Sequence, residues 1–211
     1  MAAVAPLSWK AATAEVARRD PALAVVIERA GPPKVRAADP DGPFGALVRA
    51  IVYQQLAGRA AAAIHGRARA LVEGPLTPEA LLAVPEAALR SAGLSAAKTA
   101  SVLDLARRAL AGDVALDRLR RLPDDEVVAR LSTVRGIGRW TAEMFLLFEL
   151  RRLDVWPTGD LGVREGWRLA HGLDAQPTPA ELALLGEPLR PVRSVAAWYC
   201  WQAVHIARGE V

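Results

Sequence analysis

Leu131–Leu150 reads LSTVRGIGRWTAEMFLLFEL. A helical segment over 124–131 stops here, Gly136 and Gly138 turn the chain, and an amphipathic helix follows over 138–150. Glycine accepts positive φ and close backbone approach, so two of them around one apolar residue make a tight turn. Ile137 between them is suited to plug the core beneath it. The new helix begins with N–H groups that have no intrahelical partner, and their partial positive charge favours an anion such as phosphate. An ordinary turn between two packed helices fits the same Gly-x-Gly.

Outward from this turn the rest of the chain also reads as helix. Ala, Leu and Arg dominate, all good helix formers, and no stretch alternates long enough to argue for a sheet. Helices are expected near 8–18, 21–30, 44–56, 59–73, 78–83, 86–92, 95–111, 124–131, 138–150, 160–171, 178–185 and 192–207. Thr77-Pro78 and Thr178-Pro179 each place a capping hydroxyl before a first-turn proline, and Ser95 is a third cap. Gly93 suits a helix end. The irregular Gly31–Gly42 segment reads as a surface connection.

Composition sets limits. The 211 residues are 52% hydrophobic, enough for a full core without disulfides or structural metal. The single cysteine, Cys200, rules out an intramolecular disulfide and any four-cysteine metal or cluster site, and its apolar context marks it as inert. No apolar run approaches the roughly 20 residues of a membrane span, and Met1–Trp9 lacks the pattern of a secretory leader. A cytoplasmic protein without membrane contact is expected. The net charge is +4, and of 27 basic residues only Lys10, Lys34 and Lys98 are lysine. Arginine suits phosphate recognition, although a GC-rich coding bias gives the same composition. His65, His171 and His205 lack ligand spacing and read as surface or hydrogen-bonded residues.

One acidic residue stands out. Asp154–Val163 reads DVWPTGDLGV, and Asp160 falls 22 residues after Gly138. It ends a Pro/Gly loop and starts a helix. An N-cap role explains such an aspartate by itself, and a carboxylate there can also face a substrate. The glutamines Gln54 and Gln55, inside an apolar helix, need partners because buried amides do.

Four stretches together carry a family resemblance. These are Leu47–Ala57 (LVRAIVYQQLA), Gly93–Lys98 (GLSAAK), VRGIGRWTAEMFLLF and DVWPTGDLGV, extended by Arg190–Ser194 and Trp198–Trp201. From about Phe44 to about Arg208 the chain resembles the DNA-3-methyladenine glycosylase II family of the helix-hairpin-helix/GPD superfamily. The resemblance implies an all-α, two-lobed fold with a cleft between the lobes. One lobe would comprise 1–40 plus 160–211, and the other 41–159. The antiparallel-sheet domain that opens longer relatives is expected to be missing.

The resemblance also implies an activity, the excision of alkylated bases from duplex DNA by base flipping. Asp160 matches the catalytic carboxylate. Trp140, Tyr53 and Trp201 match the base pocket, and Met144 stands where relatives commonly carry another aromatic. Gln55 matches the residue that fills the gap left by the extruded nucleotide, with Leu56 beside it. Arg135, Gly136, Ile137, Gly138, Arg139 and Thr141 match the DNA-gripping hairpin, and Lys98 a secondary phosphate contact. Relatives that also cut the strand carry a lysine where this chain has Trp140, so activity without strand cleavage is expected. No cofactor is required. A Na+ or K+ ion on the backbone carbonyls of Ser132, Val134 and Ile137 is implied, and a monomer without obligate protein partner. Two rival readings are a glycosylase for deaminated or oxidised bases and a DNA-binding hairpin protein without catalysis.

Overall fold

The computed structural model describes residues 7–210; residues 1–6, most of the stretch read for a leader, lie outside it. All regular elements among the described residues are helical. They are α1 (Trp9–Arg19), α2 (Pro21–Ala30), α3 (Gly42–Tyr53), α4 (Gly58–Ala70), α5 (Pro78–Ala83), α6 (Glu86–Ser91), α7 (Ala96–Ala111), α8 (Asp124–Leu131), α9 (Arg139–Phe148), α10 (Leu161–His171), α11 (Pro179–Leu185) and α12 (Arg193–Ala207). Thr77, Ser95 and Thr178 cap α5, α7 and α11 with their side-chain oxygens, and Thr178 forms a full capping box with Glu181. Two 3-10 turns, Leu119–Arg121 and Glu187–Leu189, are additions that three-residue propensity could not signal.

The expected helix over 44–56 is corrected at its end. α3 stops at Tyr53 and Gln55 takes left-handed backbone at φ 55°. Lys98 supplies the reason, donating from Nζ to the carbonyls of Val52 at 2.6 Å and Gln54 at 2.8 Å. Continuing the helix would have required backbone N–H groups at those two oxygens.

The described residues fall into two compact units. One contains residues up to Arg36 together with those from Arg151 onward, and the other Ala37–Leu150. The boundaries thus lie at 36/37 and 150/151 rather than 40/41 and 159/160. Side-chain ties explain both shifts. The backbone N–H of Asp39 donates to Glu149 at 3.1 Å, which keeps it with the second unit. Ser194 accepts from Val155 N–H at 2.9 Å and donates to the Arg152 carbonyl at 2.7 Å, while Arg193 clasps Asp154 at 2.7 Å. These bonds fasten 152–155 to α12.

In the first unit α12 is the central helix, packed by α10, α2 and α1. Gly166 lets α10 meet α12 backbone to backbone, since a Cβ there would fall on the Cys200 carbonyl. Trp156, Trp167 and Trp198 are core residues. Trp167 stacks on His171 with ring centroids 4.0 Å apart, and His171 pairs with Asp20 at 3.0 Å.

The second unit buries Leu47, Ile51, Leu105, Leu131, Leu146 and Leu147. His65 there is an exception to the expected surface or satisfied histidines. It is half-buried against a small cavity lined by Val52 and Leu81, and its Nε2 has no hydrogen-bond partner. Burial first, and the Arg49 charge second, depress its pKa and favour the neutral ring.

Candidate active site

Asp160 is positioned by the chain on both sides of it. Upstream, Trp156 is buried and its indole N–H donates to the Leu182 carbonyl at 2.7 Å. A tight turn over Pro157–Asp160 is closed by the Asp160 N–H on the Pro157 carbonyl at 2.9 Å. Downstream, Asp160 becomes the N-cap of α10, and its Oδ1 accepts from Val163 N–H at 2.7 Å. The same oxygen accepts from the Trp201 indole N–H at 2.9 Å. The carboxylate is therefore oriented by two helices at once, and it retains 9% of its surface. Gly162 makes room for this, because a Cβ there would lie 2.8 Å from the Trp201 ring and 3.1 Å from Asp160 Oδ1. One oxygen serves both donors. Trp201, expected as a wall of the base pocket, is first of all a donor to this carboxylate. Cys200 beside it is fully buried, which raises its thiol pKa and leaves it a poor nucleophile.

The hairpin belongs to the second unit, between α8 and α9. Val134 and Ile137 are buried, so the apolar residue between the glycines anchors the turn. Gly136 has φ 77° and lies against Ser101 of α7, where a Cβ would come within 2.6 Å of Oγ. Arg135 N–H is already used, donating to Asp104 Oδ2 at 2.8 Å. Burial would raise the Asp104 pKa, but this N–H and Arg108 together hold it low. Gly138 starts α9 without any side-chain cap, which leaves the first-turn N–H groups to other acceptors. Arg135 and Arg139 point outward, Arg139 pairing with Glu143 at 2.8 Å. Trp140 is 50% exposed. Thr141 is buried, with Gln54 Nε2 3.4 Å from its hydroxyl, so only its backbone is available to DNA.

The segment after α3 completes this unit's share. Gln55 and Leu56 are exposed, whereas Gln54 turns inward and donates to the Gly136 carbonyl at 2.9 Å. Tyr53 is half-buried, with the Arg49 guanidinium 4.3 Å from its ring centre and His65 at its edge. Met144 is half-buried on α9. Sequence reasoning missed Ser101 and Asp104. The available signal was a polar stripe, Lys98-Ser101-Asp104, spaced three apart along a helix that otherwise buries Val102, Leu105 and Ala106.

The chain belongs to the HhH-GPD superfamily of base excision DNA repair proteins, whose profile matches residues 48–191 and so takes in the hairpin and Asp160. Within it, the chain is 35% identical over 175 residues to DNA-3-methyladenine glycosylase 1 of Schizosaccharomyces pombe, covering 82% of this chain and 77% of that one. The solved structure of the S. pombe 3-methyladenine DNA glycosylase in complex with abasic DNA superposes with a TM-score of 0.79 at 33% identity, over 90% of this chain and 94% of that one. A DNA-3-methyladenine glycosidase from Bacillus halodurans gives 0.81 at 36% identity, over 93% and 89%. The all-helical architecture is that of these enzymes, and the chain is a DNA N-glycosylase of base excision repair.

Proposed function

We propose that this protein hydrolyses the N-glycosidic bond of alkylated bases of the 3-methyladenine and 7-methylguanine type in duplex DNA, without cutting the strand. As the base departs, positive charge develops on the deoxyribose, and a fixed carboxylate stabilises that charge. Asp160 is the group for this role and also accepts the proton of the attacking water. The observation that carries the reading is its Oδ1, held by donors from α10 and α12, in a chain this similar to 3-methyladenine glycosylases.

The other unit grips and opens the DNA. First-turn N–H groups of α9, with Arg135 and Arg139, bind phosphate, while Gln55 and Leu56 fill the place of the extruded nucleotide. Trp140 offers an aromatic face to an electron-poor base, and Met144 and Tyr53 are the further pocket residues that the resemblance implies. Trp140 occupies the position where a strand-cutting relative carries its Schiff-base lysine, and no lysine follows Lys98. Water is the only co-substrate the reaction needs. The carbonyls of Ser132, Val134 and Ile137 are hard oxygen donors that suit a Na+ or K+ ion, which would brace the turn. A monomer acting on DNA in the bacterial cytoplasm fits this scheme. Among the described residues no helix is long and apolar enough to cross a membrane.

The test is base release from methylated duplex DNA, with hypoxanthine, ethenoadenine and 8-oxoguanine substrates alongside. Release of 3-methyladenine and 7-methylguanine by the wild type, lost in Asp160→Asn, is expected. Binding of DNA with no release of any alkylated base would overturn the reading.

A further inference from the structure

Lys98 does not sit as a phosphate contact would. It is the third residue of α7, where the positive end of the helix repels an ammonium group. Its side chain is half-buried, and burial lowers its pKa. What compensates is the C-terminal end of α3, whose Val52 and Gln54 carbonyls receive its protons at 2.6 and 2.8 Å. The next residue, Gln55, is one of only two non-glycine residues with positive φ among those described. Such a backbone persists where its surroundings hold it. Gln54 supplies a second tie, since its amide donates to the Gly136 carbonyl of the hairpin at 2.9 Å. Beyond these ties, Gln55 is exposed and Leu56 presents a 38% exposed aliphatic side chain. An amide beside an exposed aliphatic is the chemistry of a side-chain wedge between base steps.

We propose that Lys98 and Gln54 are positioning residues: they set the 53–57 turn in its DNA-inserting shape before DNA arrives and fasten it to the phosphate-gripping hairpin. This rests on the reading that Gln55 and Leu56 enter the duplex. Lys98 locks the backbone on the side of the turn that leads into Gln55, and the Gln54 side chain ties that same side to the Gly136 peptide. Phosphate capture and gap filling then occur as one rigid-body step, without an ordering cost at the moment of extrusion.

The experiment uses the full chain and a duplex with 2-aminopurine beside a tetrahydrofuran abasic analogue, whose fluorescence reports insertion independently of base release. Lys98→Met and Gln54→Leu are compared in the wild-type background and in a Gln55→Ala/Leu56→Ala background that has no wedge. In the wild-type background each substitution should lower affinity for the analogue, and kcat/KM for 7-methylguanine release, by about tenfold or more. In the wedge-free background the further loss should be less than about twofold. Lys98→Arg, which keeps the charge and two donors, should restore the fluorescence signal. An equal loss in both backgrounds would overturn the proposal and leave Lys98 a generic helix cap. So would an unchanged fluorescence signal with a salt slope reduced by about one, the mark of a direct phosphate contact. If Lys98→Met does not fold, Gln54→Leu carries the same comparison. A wild type that releases no alkylated base would sink the excision reading instead, while the fluorescence cycle still decides the role of the two ties.

Discussion

Trp201→Phe removes one N–H from the Asp160 carboxylate and keeps an aromatic ring in its place. The wild-type bond spans 2.9 Å and shares Oδ1 with Val163 N–H at 2.7 Å, so the variant leaves this oxygen with the α10 donor. A hydrogen bond to a charged acceptor contributes about 1.5–3 kcal/mol. If the indole serves to aim the carboxylate at the sugar, that energy is expressed in the transition state, and kcat falls about 10- to 100-fold. Loss of part of the ring beside Gly162 costs stability as well, on the order of 1–2 kcal/mol. Single-turnover release of 7-methylguanine at saturating enzyme measures the chemical step, and affinity for an abasic-analogue duplex measures binding. Expected is a lowered single-turnover rate with affinity within about threefold of wild type. A rate within twofold of wild type, together with weaker binding of the damaged base, would refute the argument and make Trp201 a stacking wall only. Asp160→Asn is the companion variant. Asparagine caps a helix about as well as aspartate, so its melting temperature should stay near wild type while release is lost.

Gly166→Ala places a methyl group against the Cys200 carbonyl, and overpacking of this kind costs about 1–3 kcal/mol or more; a fall in the urea midpoint is expected, and an unchanged midpoint would contradict the contact. The Asp20–His171 pair makes stability depend on pH. Burial pushes the His171 pKa down, but the hydrogen bonds its ring donates to the Asp20 carboxylate and the Trp167 carbonyl outweigh it and leave it raised, while burial of Asp20 is outweighed by His171 and the Leu23 N–H, leaving it lowered. The histidine contribution is complete below about pH 6.5 and fades as pH rises through the folded value; the aspartate contribution is complete above about pH 4 and fades on acidification through its folded value. Melting temperature should therefore fall from pH 6 to pH 8 more in wild type than in His171→Gln, and parallel curves would contradict this. Arg139→Ala should weaken binding to undamaged and damaged duplex alike and reduce the salt slope by about one, which a titration from low to moderate salt would show.

Much of this protein is determined by sequence alone, because its signals are local. Helix composition, hydroxyl caps before proline and the Gly-Ile-Gly turn act within a few residues, and each expected helix is present, although the ones expected over 44–56 and 59–73 end early, at Tyr53 and Ala70. The Asp160 cap is legible for the same reason, whereas its candidacy as a functional carboxylate comes from the four-part family pattern. What only the tertiary structure decided are bonds between residues far apart in the chain. The apolar pattern carries a helix through Gln54 and Gln55, yet an ammonium 44 residues from Gln54 takes the carbonyls that helix needed. An indole 41 residues downstream donates to Asp160 Oδ1, and Asp104, 31 residues before Arg135, takes a hairpin N–H. Hydrogen bonds of this kind depend on which helix faces are brought together, and that follows from burial of the whole apolar surface, not from the residues adjacent in sequence.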